Sequence, residues 1–175
     1  MTRRGLNMVF TGSGKGKTTA ALGLGLRAWG QGMKVLVLQF MKSESWPTGE
    51  LKAARLLHGF DIRPMGAGFL RYDKPDELER HRKAAEEALA AAREALQRKE
   101  YDMVILDEIC VALQKNLVTT GDVLDLMTLK GTQQHLVLTG RGAPEEIKAR
   151  ADLVTEMREI KHPYPTVEAQ PGIEY

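Results

Sequence analysis

The chain has 175 residues, a formal net charge of +2 and apolar and charged fractions typical of soluble proteins, so we expect a single globular domain over residues 1–175. It has no basic block, no secretory leader and no apolar run long enough to span a bilayer, which argues against nucleic-acid and membrane partners. Its one cysteine, Cys110, excludes an internal disulfide and favours a reducing, cytoplasmic location.

The first predicted elements are a strand over residues 6–11 and a helix over residues 17–31, joined by a glycine-rich turn. The turn and the start of the helix read Gly12-Ser13-Gly14-Lys15-Gly16-Lys17-Thr18-Thr19. This pattern is typical of a phosphate-binding loop, because glycines let successive backbone N–H groups point at phosphate oxygens and the helix start adds a positive dipole end. We expect Lys17 to reach the terminal phosphates, Lys15 to add a second cation, and the Thr18 hydroxyl to bind Mg²⁺.

Thr11 departs from the strict phosphate-loop pattern, in which a glycine stands at this position. The strand, turn and helix around it nevertheless support the assignment. The loop indicates that the protein binds a nucleoside triphosphate with magnesium. It does not decide between a kinase, a hydrolase and a rarer activity.

The later elements alternate between strands and helices. We predict strands over 34–41, 61–65, 103–107 and 134–139, helices over 50–57 and 73–100, and an edge strand within 153–160. Residues 161–175 are predicted to form an irregular C-terminal tail, because they contain three prolines and a glycine. Such alternation predicts an α/β fold with a mostly parallel sheet, helices on both faces and ligands at the carboxyl ends of the strands.

The strand that ends at Asp107 is followed directly by Glu108, so two carboxylates lie at the edge of the sheet where the nucleotide is expected. One of them can hold Mg²⁺ directly or through water, while the other orients a ligand or water. Arg141 follows a later strand and lies between two glycines, a bare loop that lets a guanidinium approach a ligand. Cys110 has apolar neighbours, which favours a small buried residue over a nucleophile.

A series of different short motifs is spread over nearly the whole chain. They occupy residues 11–21, 39–42, 65–69, 106–108, 138–142, 154–158 and 169–175. This set resembles the phosphate-loop family of ATP:corrinoid adenosyltransferases. The phosphate loop and the acidic pair are shared with many nucleotide-binding proteins. The specific marks are the Gly-x-Gly-Phe, Thr-Gly-Arg-Gly and terminal Gly-Ile-Glu-Tyr motifs.

The resemblance implies a single-domain P-loop NTPase (RecA-like) fold and an unusual reaction. In this family cobalt(I) of a corrinoid attacks C5′ of ATP, forms a Co–C bond and expels triphosphate. Lys15, Lys17, the loop N–H groups and Mg²⁺ are then expected to stabilise the leaving group. No general base is needed, because cobalt(I) has no proton to lose. The nucleotide lies reversed in the loop, so C5′ is exposed to the corrinoid, and such a loop can relax the usual pattern at Thr11.

The resemblance also assigns roles residue by residue. It places ATP on Gly12, Ser13, Gly14, Lys15, Gly16, Lys17, Thr18, Thr19, Arg27 and Arg141, and the metal on Thr18, Asp107 and Glu108. Phe69 matches an aromatic residue that helps to displace the lower axial ligand of the corrinoid. Some members carry a tryptophan two residues later, where this chain has Arg71. Either the displacement works differently here, or the preferred corrinoid lacks a bulky base. Few residues precede the first strand, where some members have a helix that covers the corrinoid.

The resemblance further implies a homodimer, a reduced flavoprotein as electron donor, and cobalamin, cobinamide or cobyrinic acid a,c-diamide as the corrinoid, in biosynthesis or salvage. Two other functions stay open from the residues. A nucleoside or small-molecule kinase predicts an acceptor-activating carboxylate and an arginine-rich lid. A non-catalytic nucleotide sensor or RecA-like ATPase module predicts ADP, or no turnover, in place of triphosphate.

Overall fold

The computed structural model describes residues 4–43, 45, 48–68 and 75–175. Within these residues, six strands form one sheet in which all neighbouring strands run parallel. The strands are β1 (Asn7–Thr11), β2 (Val35–Gln39), β3 (Phe60–Pro64), β4 (Met103–Asp107), β5 (His135–Thr139) and β6 (Leu153–Glu156). Their order across the sheet is β3-β2-β4-β5-β1-β6.

Helices cover both faces of this sheet, as predicted. In the described part of the chain they are α1 (Lys17–Gly30), α2 (Gly49–Ala54), α3 (Pro75–Arg98), α4 (Ile109–Gln114), α5 (Thr120–Leu129) and α6 (Glu145–Arg150). Because side chains alternate along a strand, Val37 and Ile105 pack on one face with Ala21 of α1. Leu38 and Leu106 belong to the other core, with residues of α3, α4, α5 and α6. The sheet is therefore buried on both sides, which explains its near-continuous apolar strands.

The two edge strands have more exposed residues than the central ones. β2 and β4 are buried along their whole length. β3 has one buried residue, and its other positions alternate between exposed and half-buried, whereas β6 is exposed throughout. The predicted edge strand within 153–160 is confirmed, although it ends at Glu156.

The strand order brings four loops together at one edge of the sheet. β5 lies between β1 and β4, so the loop after β5 separates the phosphate loop from the acidic pair. Parallel strands carry their carboxyl ends to the same edge, where the loops after β1, β2, β4 and β5 meet. Residues 161–175 contain only turns, and they return to this edge.

Candidate nucleotide site

The phosphate loop, residues 12–16, connects β1 to α1. Gly12 and Gly16 have positive φ angles of 101° and 114°, which favour glycine. A Cβ on Gly12 would clash with the carbonyl group of Met157, just after β6. The N–H of Gly14 donates to that same carbonyl oxygen at 2.8 Å. The loop is therefore shaped by its own glycines and by the close approach of the chain after β6.

Lys17 is held inside the phosphate loop. It is the first residue of α1, and only 7% of it is exposed. Its Nζ donates to the carbonyl oxygens of Gly12 at 2.9 Å and Gly14 at 2.7 Å. The pKa of Lys17 lies below its ordinary value, mainly because the side chain is buried. The carboxylate of Glu108 opposes this effect, and the guanidinium of Arg141 adds to it. Because its bonded partners are neutral carbonyls, the ammonium keeps its charge available for an anion in the loop.

Asp107 organises the hydroxyl groups at the end of β4, where it is 1% exposed. Its Oδ1 accepts hydrogen bonds from the hydroxyls of Thr18 at 2.7 Å and Thr139 at 2.8 Å. Its Oδ2 accepts from Nε2 of Gln39 at 3.3 Å. Since Thr18 donates its proton to Asp107, the lone pairs of the Thr18 oxygen stay available for a cation. Asp107 thus orients Thr18, and its own ligation of a metal stays a prediction.

Glu108 has a buried carboxylate oxygen, Oε2, with no hydrogen-bond partner among the described residues. Its backbone is left-handed, with φ at 61°, and its N–H donates to the Thr139 hydroxyl at 2.9 Å. Burial raises the pKa of Glu108 and the neighbouring Asp107 adds to this effect, while Lys17 and further cations oppose it. A buried acceptor left without a donor is costly, so a bound cation is a natural partner for it.

A metal at this position needs ligands from the nucleotide. In the described part of the chain, no three His, Cys, Asp or Glu side chains form a metal-binding group. Magnesium is commonly held by one or two protein oxygens together with substrate phosphates and water. The Thr18 hydroxyl and the Glu108 carboxylate fit that requirement.

A cavity of about 720 Å³ lies over the phosphate loop. It is lined by the loop and α1, by the start of α2, and by the end of the tail, residues 172–175. This volume lies within the usual range for small-molecule sites. The charged residues that line it include Lys15, Lys42, Glu50, Glu108, Arg141 and Glu174.

Most of the residues predicted from the sequence line this cavity. They are Ser13, Gly14, Lys15, Gly16, Lys17, Thr18, Thr19, Glu108 and Arg141. Gly12 and Asp107 are buried and reach the site through their hydrogen bonds to Lys17 and Thr18. Arg27 is exposed near the end of α1 and does not line the cavity, so its role stays a prediction. Phe69 lies outside the described residues.

Lys42 and Glu50 form an ion pair at one side of the cavity. Nζ of Lys42 lies 2.6 Å from Oε1 of Glu50. Burial opposes ionisation of Glu50, but the hydrogen bond and the charge of Lys42 outweigh it, so the pKa of Glu50 lies below its ordinary value. The charge of Lys42 is therefore already balanced by the protein.

Three residues that sequence reasoning left without a role support the site. The hydroxyl of Thr11 accepts the N–H of Ala143 at 3.1 Å, which ties the end of β1 to the loop that carries Arg141. Gln39 and Thr139 hold Asp107. Each of the three is the polar last residue of an apolar strand. That pattern was a usable signal, because all these strands end at the same edge.

Cys110 has a structural role, as predicted. It is fully buried, and burial raises the pKa of its thiol to about 12, so the sulfur stays protonated at neutral pH. A Cβ on Gly140 would lie 2.9 Å from the Cβ of Cys110. The small side chains at these positions let the loop after β5 pack against α4.

The loop, its lysine and threonine, and the acidic pair across β5 define a nucleotide-binding protein of the P-loop NTPase class. Two solved structures share the fold. Flagellar accessory protein FlaH from Methanocaldococcus jannaschii aligns with 88% of this chain and 71% of its own, with a TM-score of 0.60 and 14% identity. The KaiC-like protein PH0186 from Pyrococcus horikoshii OT3 aligns with 90% and 75%, with a TM-score of 0.53 and 16% identity. These likenesses confirm the expected RecA-like fold and nothing beyond it.

Residues 3–175 match the family described as ATP:corrinoid adenosyltransferase BtuR/CobO/CobP. The corrinoid adenosyltransferase of Escherichia coli strain K12 is 39% identical over 173 residues, which are 98% of this chain and 86% of that protein. The corrinoid adenosyltransferase CobA of Salmonella typhimurium strain LT2 is 36% identical over 178 residues, with 98% and 86% covered. The chain therefore belongs to the ATP:corrinoid adenosyltransferase family, and the resemblance found in its motifs is confirmed.

Proposed function

We propose that this protein transfers the 5′-deoxyadenosyl group of ATP to cobalt(I) of a corrinoid and releases inorganic triphosphate. The cavity over the phosphate loop carries the proposal, because Lys15, Lys17 and Arg141 line it together with Glu108, in a chain of this family. The lone pair of cobalt(I) forms the Co–C5′ bond. The C5′–O bond breaks, and its electron pair leaves with triphosphate.

The phosphate loop acts on the leaving group. Negative charge grows on the departing oxygen as the C5′–O bond breaks, so fixed positive charges stabilise the transition state more than bound ATP. Lys17 is buried and held by the loop carbonyls, so it needs little reorganisation to serve in this way. Lys15 and the loop N–H groups add to the same field.

Magnesium is the proposed cofactor. The Thr18 hydroxyl and the Oε2 of Glu108, which has no hydrogen-bond partner within the described residues, are oxygen ligands of the type that Mg²⁺ prefers. When bound, Mg²⁺ neutralises phosphate charge and favours departure of the triphosphate. Asp107 holds the Thr18 hydroxyl in place through the 2.7 Å hydrogen bond.

Phe69 is the proposed contact to the lower face of the corrinoid. An apolar ring there excludes water as a replacement axial ligand, which makes cobalt(II) easier to reduce. Phe69→Ala should therefore impair reactions that start from cobalt(II) more than reactions that start from chemically prepared cobalt(I). Equal losses in the two assays would count against this role.

The remaining proposals concern partners and location. We propose a homodimer, a reduced flavoprotein as electron donor, and cobalamin, cobinamide or cobyrinic acid a,c-diamide as the corrinoid. The family membership supports a corrinoid as substrate. The dimer and the electron donor are expectations from the resemblance of the sequence motifs. The proposed location is cytoplasmic. Among the described residues, none of the helices is both long enough and apolar enough to cross a membrane.

The deciding experiment supplies ATP, Mg²⁺ and one chemically reduced corrinoid, and measures two products. Adenosylcorrinoid is followed by the loss of the cobalt(I) absorbance and by photolability, and triphosphate by ion chromatography. We expect equal amounts of both, and no product with EDTA. Parallel reactions with the three corrinoids, compared by kcat/KM, identify the preferred one. Formation of ADP with cobalt left unalkylated would instead support a kinase or ATPase.

A further inference from the structure

The end of the C-terminal tail, residues 170–175, returns to the phosphate loop. Nζ of Lys15 donates to the carbonyl oxygen of Ile173 at 2.8 Å, across 158 positions of sequence. The same ammonium lies 3.5 Å from Oε1 of Glu174. The tail therefore contacts one of the two lysines of the loop directly.

The carboxylate of Glu174 is held in place by the tail itself. Its Oε2 accepts the N–H of Gln170 at 2.8 Å, and the N–H of Glu174 donates back to the carbonyl of Gln170 at 3.0 Å. The hydrogen bond from Gln170 lowers the pKa of Glu174, and the charges of Lys15 and His162 lower it further. The negative charge is thus fixed in the wall of the cavity.

The two lysines of the loop differ in their partners. Within the part of the chain that the structure describes, Nζ of Lys17 donates to two carbonyl groups of the loop, which carry no net charge. Lys15 faces a carboxylate and a carbonyl of the tail. A polyphosphate in the loop must share Lys15 with Glu174, or displace the tail from it.

We propose that Glu174 is a built-in anion that competes with polyphosphate for Lys15. The inference rests on the proposed function for the identity of the ligand, ATP before the reaction and triphosphate after it. ATP is also held through its adenosine part, whereas triphosphate depends on the phosphate loop alone. Competition at Lys15 weakens the binding of both ligands. Triphosphate has no adenosine contacts to hold it, so the weaker hold of the loop favours its release.

The test is the binding of inorganic triphosphate with Mg²⁺ to the full chain, measured by isothermal titration calorimetry. Glu174→Gln keeps the shape of the side chain and removes its charge. We expect it to tighten triphosphate binding roughly two- to fivefold, the range typical of partly exposed ion pairs. The matched control is Glu168→Gln, an exposed acid of the same tail that does not line the cavity, and it should change nothing. Unchanged or weaker binding by Glu174→Gln would overturn the proposal.

A double-mutant cycle identifies the site of competition. In a Lys15→Gln background, Glu174→Gln should lose its effect, because the shared ammonium is gone. An equal gain in both backgrounds would show repulsion through space and contradict competition at Lys15. Circular dichroism checks folding; if Glu174→Gln is unfolded, Glu174→Asp, whose shorter side chain withdraws the carboxylate from Lys15, is expected to tighten binding in the same direction. Triphosphate binding needs no corrinoid, so this test can fail or succeed independently of adenosyl transfer.

Discussion

The two ends of the sheet use polar side chains in different ways. At the amino ends of the strands, two aspartates accept hydrogen bonds from the backbone of another segment, and one of them, Asp152, also pairs with Arg4 at 2.8 Å. Asp102 accepts the N–H of Lys34 at 2.8 Å, and Asp152 accepts the N–H of Asn7 at 2.8 Å. These bonds fix one strand against its neighbours.

At the carboxyl ends, a group of side chains around Asp107 hold one another. Asp107 accepts from the side chains of Thr18, Thr139 and Gln39. Beside it, Glu108 keeps a buried oxygen without a donor among the described residues. The bonds between the amino-end aspartates and the backbone stabilise the fold, whereas the bonds between the side chains around Asp107 set the geometry of the site. The comparison predicts stability effects at the amino ends and activity effects at the carboxyl ends.

The largest expected effect is at Lys17. Lys17→Ala removes the buried cation of the phosphate loop, and we expect kcat to fall by about 10²–10³ or more, by analogy with the loss of other fixed electrostatic groups. Adenosylcorrinoid formation with saturating ATP and corrinoid measures it. Lys83→Ala, on the exposed face of α3, is the control and should keep full activity. Near-normal turnover in Lys17→Ala would remove the loop from the mechanism.

Glu108→Gln should separate activity from stability. The amide keeps the shape but loses the charge, so we expect Mg²⁺-dependent activity to fall about 10- to 100-fold or more. Without nucleotide or metal, the variant should unfold at a higher temperature than the wild type, because burial disfavours the charged carboxylate and raises its pKa. Thermal unfolding in EDTA at pH 7 checks this. A lower melting temperature together with unchanged activity would reverse our interpretation of Glu108.

Thr11 tests the comparison between the two ends of the sheet, because it lies at a carboxyl end but its side chain is hydrogen-bonded to the backbone. Thr11→Val is nearly isosteric and leaves the N–H of the buried Ala143 without its acceptor. We expect a loss of about 1–3 kcal/mol in the free energy of unfolding, measured with urea. Thr11→Ser keeps the hydroxyl and should recover most of it. If Thr11→Val is as stable as the wild type, a hydrogen bond from a side chain to the backbone does not by itself predict an effect on stability.

Local patterns account for what the sequence predicted correctly. The central strands β2 and β4 are short apolar runs buried on both faces, and such runs are visible without any tertiary information. The phosphate loop is one continuous motif, so most of its residues and the cavity around them could be anticipated. The acidic pair lies at the end of a buried strand, so its position at the carboxyl edge of the sheet could be predicted as well.

Contacts between distant segments explain the features that could not be predicted from the sequence. Lys15 and Ile173 are 158 positions apart, and no sequence pattern in either segment predicts that the two are in contact. Met157 shapes the phosphate loop through its backbone carbonyl, which carries no information about residue type. Gln39 reaches Asp107 only because β2 and β4 are neighbours in the sheet. Strand order, which the motifs do not encode, decides such contacts.

The smallest expected effect is at Asp102, at the amino end of the sheet. Asp102→Ala removes the acceptor for the N–H of Lys34, so we expect a loss of about 0.5–1.5 kcal/mol in the free energy of unfolding. Asp102→Asn keeps an oxygen acceptor and should lose less. Both variants should retain the kcat of the wild type below their melting temperatures, because Asp102 does not line the cavity. A fall in kcat at unchanged stability would mean that the amino ends also shape the site, and the division between the two ends would fail.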